Sequence, residues 1–83
     1  MADDLPLRNV KRGTALLVTC LVETLNEIDP GARARFIARL DSAYAQTRDE
    51  SSDLNSLELL SWTRELITGF SNTEGQGLPF FKR

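Results

Sequence analysis

Histidine carries out most proton transfer near neutral pH, and this chain contains none. The side chain with strong nucleophilic character is Cys20, the sole cysteine. It sits in the run Ala15 to Val22, where every residue but Thr19 is apolar. Burial in such a stretch raises a thiol's pKa and leaves it inert, so the expectation is a cysteine in a helix core. A dimer would instead bring two copies of Cys20 together across a two-fold axis. Glu23 and Glu27 stand one helical turn apart and offer two carboxylates to a hard cation. With no further ligand at a fitting spacing, they read better as the solvated end of a helix. Ser61, Thr63 and the other hydroxyls lack a base partner, and no glycine-rich phosphate loop, metal motif or nucleophile elbow occurs. The chemistry-bearing residues therefore point to a protein that is not an enzyme, with no cofactor and no metal.

Arg33, Arg35 and Arg39 are the residues that would serve a nucleic acid. Arg35 and Arg39 lie one turn apart on an expected second helix, with Arg48 further along, and suit phosphate contacts. A helix-turn-helix would read bases with its third helix, where Asp53, Glu58 and Glu65 against Arg64 would repel DNA. Ten basic and twelve acidic residues give a net charge of −2, with a pI near 5.0. That balance supplies no general attraction to nucleic acid or to an anionic membrane. Nucleic-acid binding through Arg33, Arg35 and Arg39 is thus the alternative reading rather than the first.

Any site must be positioned by a very small fold. Eighty-three residues make one domain. A chain of this size buries only roughly 60–65% of the surface it exposes unfolded, which is marginal for a monomer. Disulfides, metals or self-association usually make up the difference. A single cysteine cannot pair within the chain, and one thiol without histidine does not make a structural zinc site. Self-association is what remains. One thiol and no disulfide also suit the reducing cytoplasm.

The N-terminus invites a comparison with a secretion signal, because Arg8, Lys11 and Arg12 precede the apolar run and Leu17-Val18-Thr19-Cys20 faintly resembles a lipoprotein cleavage site. The run is too short, Thr19 is larger than the small residue required there, and Glu23, Asn26 and Glu27 continue a helical pattern. A membrane span would need roughly 20 apolar residues.

The periodicity predicts an all-α fold, a small three-helix bundle with a flexible tail. Residues 1–6 are expected to be flexible, followed by helices over about 7–28, 30–48 and 53–68 within a domain of 7–70. On the first helix Leu7, Val10, Thr14, Leu17, Leu21 and Ile28 fall on spacings of three and four, with Val18 and Leu25 beside them. Arg8, Arg12, Thr19, Glu23 and Asn26 form the opposite, polar stripe. Ala15, Leu16 and Cys20 widen the apolar surface beyond one core-facing stripe. Asp29-Pro30-Gly31 should end this helix and start the next, with Asp29 as cap and Pro30 at the first helical position. The short link predicts an antiparallel hairpin.

On the second helix Phe36, Ile37, Leu40, Ala43, Tyr44 and Thr47 make the expected buried face. Asn55 with Glu58 resembles a capping box for the third, with Ser52 or Asp53 as caps one turn earlier. Leu59, Trp62, Leu66 and Phe70 form its apolar line, and Gly69 a left-handed terminator. Trp62 in that line reads first as core packing and second as an interface anchor. Residues 71–83 read as a flexible tail without strands, ending in the apolar patch Leu78-Pro79-Phe80-Phe81.

These features predict a non-enzymatic protein-protein interaction module, a small homodimeric regulator, inhibitor or adaptor with a protein partner yet to be identified. The expected contacts are Leu16, Leu17, Cys20 and Leu21 on the first helix, together with Trp62, Leu78, Phe80 and Phe81.

Overall fold

The computed structural model describes residues 4–50, 53–71 and 75–81, with the side chains of residues 4, 5 and 71 excepted. Three helices pack against one another: α1 (Asp4–Ile28), α2 (Ala32–Glu50) and α3 (Leu54–Thr68). Strands β1 (Phe70–Ser71) and β2 (Gly75–Gln76) follow as a short antiparallel pair. The fold is the expected all-α three-helix bundle. Its first helix begins earlier than predicted, because Pro6 falls in the first turn, where a missing amide hydrogen costs nothing. Residues 1–3 of the expected flexible N-terminus lie outside the described residues.

The α1–α2 junction differs in detail from expectation. Pro30 does not open α2; it lies in a turn, and α2 starts at Ala32. The Ala32 amide donates to the Asp29 carbonyl at 2.9 Å, and the Gly31 amide donates to the Asp29 side chain at 3.2 Å. A further free amide at the start of α2, that of Arg33, is met by Asn26 Oδ1 at 2.9 Å. Asn26 therefore caps the neighbouring helix from α1.

At the start of α3 the expected Asn55–Glu58 box does not form. Asp53 is the cap, accepting from the Ser56 amide at 3.2 Å and from the Ser56 hydroxyl at 2.6 Å. These bonds hold the Asp53 carboxylate below the usual range, led by the Ser56 hydroxyl. Asn55 and Glu58 are taken by Lys11, which reaches across from α1 at 3.0 and 2.5 Å. Ser52, the other candidate cap, lies outside the described residues.

Gly69 ends α3 as predicted, at φ 84° with its amide on the Glu65 carbonyl. The chain then reverses sharply. Gly77 donates to the Gly69 carbonyl and Phe80 to that of Leu66, both at 2.8 Å. The strandless reading of residues 71–83 is thus corrected, since a Cβ at Gly69 would collide with Gly77 and Leu78 and only glycine admits this close return. Residues 72–74 and 82–83 of that segment lie outside the described residues.

The core is thin. The buried apolar side chains among the described residues are Ala15, Val22, Leu40 and Ile67, joined by Thr19 and Thr63. Both threonines return their hydroxyls to their own helix, Thr19 to the Ala15 carbonyl at 2.7 Å and Thr63 to the Leu59 carbonyl at 2.8 Å. No buried side-chain polar atom among the described residues lacks a partner. On α2, Leu40 is buried while Phe36, Ile37, Tyr44 and Thr47 are half-buried. Ala43 is exposed, a correction to its expected burial. On α3 the buried positions are Thr63 and Ile67, and the line Leu59, Trp62 and Leu66 is half-buried, with Phe70 exposed at its end.

Candidate interaction surface

The stripe of α1 that packs into the bundle is the one that carries the polar residues. Thr19 is fully buried, Val22 and Ala15 lie beside it, and Glu23 and Asn26 are half-buried. The sequence pattern sets Thr19, Glu23 and Asn26 opposite the apolar stripe, and the structure turns that opposite stripe inward. Small and β-branched side chains let the helices approach closely, and each polar group meets a partner. Arg33 binds Glu23 through two nitrogens, Nε at 2.9 Å and Nη2 at 2.6 Å. The Glu23 hydrogen bond raises the Arg33 pKa from its ordinary value, while burial opposes it. Arg64 joins α3 to α2 in the same manner, from Nε to Asp41 at 2.7 Å, and its pKa is likewise raised, first by that bond.

The apolar heptad therefore faces away from the bundle. Leu7, Val10, Leu17, Leu21, Leu25 and Ile28 are between 44 and 79% exposed. They run the length of a 25-residue helix, about 37 Å. Six large apolar side chains exposed along one helix are more than a soluble monomer ordinarily leaves uncovered. Cys20 lies on the flank of this strip and is exposed. Its expected place in the core is thus corrected: Leu17 and Thr24, three and four positions from Cys20, are exposed with it, and the buried stripe runs through Ala15, Thr19 and Val22 instead.

Along its other flank the seam opens onto a groove of about 370 Å³ between the helices, lined by Thr14 and Val18 of α1, Phe36 and Leu40 of α2, and Leu59 and Leu60 of α3 among others. On the opposite side of α1 the returning tail makes a second surface. Leu78 is 91% exposed there and Phe80 half exposed, its ring edge-on to that of Phe81 with centroids 5.1 Å apart. The tail borders an open cleft of about 670 Å³ that Arg8, Arg12 and Trp62 also line. Lys11 stands over Trp62, 5.4 Å from the ring centroid.

The residues singled out in the sequence thus fall into two separate groups. Leu17, Cys20 and Leu21 lie together on the seam, with Leu16 half-buried at its margin. Trp62, Leu78, Phe80 and Phe81 gather around the tail. Val10, Leu25 and Ile28 belong with the first group, and the spacing that placed them on the heptad was already the signal. Of the arginines, Arg33 holds Glu23 and Arg35 holds Asp29, while Arg39 is exposed. Glu23 and Glu27 do not converge, since Glu23 is committed to Arg33 and Glu27 is exposed. Among the described residues no three potential metal ligands cluster, and no helix is long and apolar enough to cross a membrane.

The chain matches no protein-family model, no curated protein and no solved structure.

Proposed function

We propose that this protein is a non-enzymatic interaction module that works as a homodimer, a small cytoplasmic regulator, inhibitor or adaptor that acts by occupying another protein's surface. The observation that carries the reading is the outward apolar seam of α1. A stable interface takes about 800 Å² from each partner, and six exposed large apolar side chains along α1 contribute to it. The thin core provides the complementary reason, because a domain this small gains from a second copy the apolar burial it lacks alone. Leu78 and Phe80 lie on the far side of α1 from the seam, so a dimer leaves two tail patches free for the protein partner. An exposed, unpaired Cys20 suits a reducing compartment.

The nucleic-acid reading is the weaker one. Arg33 and Arg35 already neutralise carboxylates of their own chain, which leaves Arg39 as the remaining cation of that trio. Size-exclusion chromatography with light scattering tests the proposal. A mass twice the chain's 9.3 kDa at micromolar concentration is expected. A monomer throughout that range would remove the homodimer.

A further inference from the structure

Resting on that homodimer reading, we infer that the two α1 helices cross the seam antiparallel about a two-fold axis near residue 19, each copy's Leu25 seated in the other's groove. Leu7, Val10, Thr14, Leu17, Leu21, Thr24 and Ile28 repeat at alternating steps of three and four. That is the period of 3.5 at which two helices stay in contact along a seam. In the antiparallel register Val10 faces Ile28 of the second copy, Thr14 faces Thr24, and Leu17 faces Leu21. Apolar residues then meet apolar ones, and hydroxyls meet hydroxyls.

Two observations favour antiparallel over parallel pairing. The first is charge. Between residues 5 and 22 α1 carries Arg8, Lys11 and Arg12 and no acid, whereas residues 23–29 carry Glu23, Glu27 and Asp29 and no base. Antiparallel pairing sets basic half beside acidic half and opposes the helix dipoles; parallel pairing stacks like on like. Lys11, Glu23 and Asp29 already hold partners within the chain, so the preference comes from the summed field and not from new ion pairs.

The second observation is the groove beside Thr14 and Val18. In the antiparallel register Leu25 of the second copy, half exposed in the single chain, falls level with Gly13, beside Thr14, and enters the groove there. A parallel register brings Gly13 of the second copy there instead, and glycine has no side chain to offer.

Disulfide trapping tests the inference in a Cys20→Ser background, with Val10→Cys and Ile28→Cys chains of distinguishable mass and copper(II)-phenanthroline as oxidant. A disulfide needs Cα atoms within roughly 7 Å. In the antiparallel dimer two copies of position 10 lie about 27 Å apart, as do two copies of position 28. The expected product is a link between Val10→Cys and Ile28→Cys chains in the mixture, with neither variant linking to itself. Self-linking of each variant would overturn the antiparallel register and leave the homodimer standing. No link in a sample that light scattering shows to be dimeric would overturn the seam itself. A monomer would remove the homodimer and the register together.

Discussion

Leu17 and Thr19 stand two positions apart on α1 in opposite environments, the leucine 69% exposed and the threonine fully buried. The polar residue is inside and the apolar one outside. A helix that had only its own bundle to satisfy would be turned the other way.

Thr19 sits where α1 meets the rest of the bundle, fully buried. Its hydroxyl is satisfied by the Ala15 carbonyl, and its small volume lets the helices close. Thr19→Leu should overpack this contact and cost about 1–3 kcal/mol in urea denaturation. Thr19→Val, which keeps the shape, should cost less than about 1 kcal/mol, because the carbonyl it frees already serves the helix.

Arg33 is the clamp between α1 and α2. Arg33→Ala removes the two-pronged contact to the half-buried Glu23 carboxylate and should lower stability by about 1–3 kcal/mol. Arg33→Lys should recover only part of this, since an ammonium cannot reproduce the two-pronged contact. Chemical denaturation of the two variants checks the order.

Gly69 and Gly75 both adopt positive φ, at 84° and 79°. A methyl at Gly75 meets open space, whereas at Gly69 it strikes the returning tail. Gly75→Ala should therefore cost only the left-handed strain, about 1–2 kcal/mol. Gly69→Ala should cost more and also release the tail, which a change in Trp62 fluorescence would report. Equal effects would show that the tail does not depend on its passage over Gly69.

The Asp53 cap predicts a dependence on acid. Its pKa is lowered in the fold, so the cap contributes above the carboxyl's ordinary value of 3.8. The contribution is lost progressively as pH falls from there through the lowered folded value. Circular dichroism should show α3 melting at lower temperature over that window. Asp53→Asn, which keeps an acceptor without a charge, should remove this component of the pH dependence.

Much of the architecture was legible in the sequence, for local reasons. Proline after Asp29 stops α1, and Gly69 supplies the left-handed turn that ends α3, so the helix count and approximate bounds follow from covalent geometry. The heptad on α1 was legible too, but not its direction, because periodicity separates two faces without saying which is covered. Thr19 shows why: a threonine can be buried at little cost when its hydroxyl returns to its own helix. The cap of α3 was ambiguous for a long-range reason, since Lys11 engages Asn55 and Glu58 and leaves Asp53 to do the capping. The tail strands exist only because Gly77 can pass against Gly69, a contact that no local pattern of residues announces.

On the homodimer reading, the outward face of α1 joins two copies of this chain. Sedimentation equilibrium of the wild type beside Leu17→Glu/Leu21→Glu tests it most directly, with helical content checked by circular dichroism. A wild-type dimer at micromolar concentration is expected, with a variant that keeps its helicity but sediments as a monomer. A wild type that is monomeric, or a folded variant that still dimerises, would contradict it.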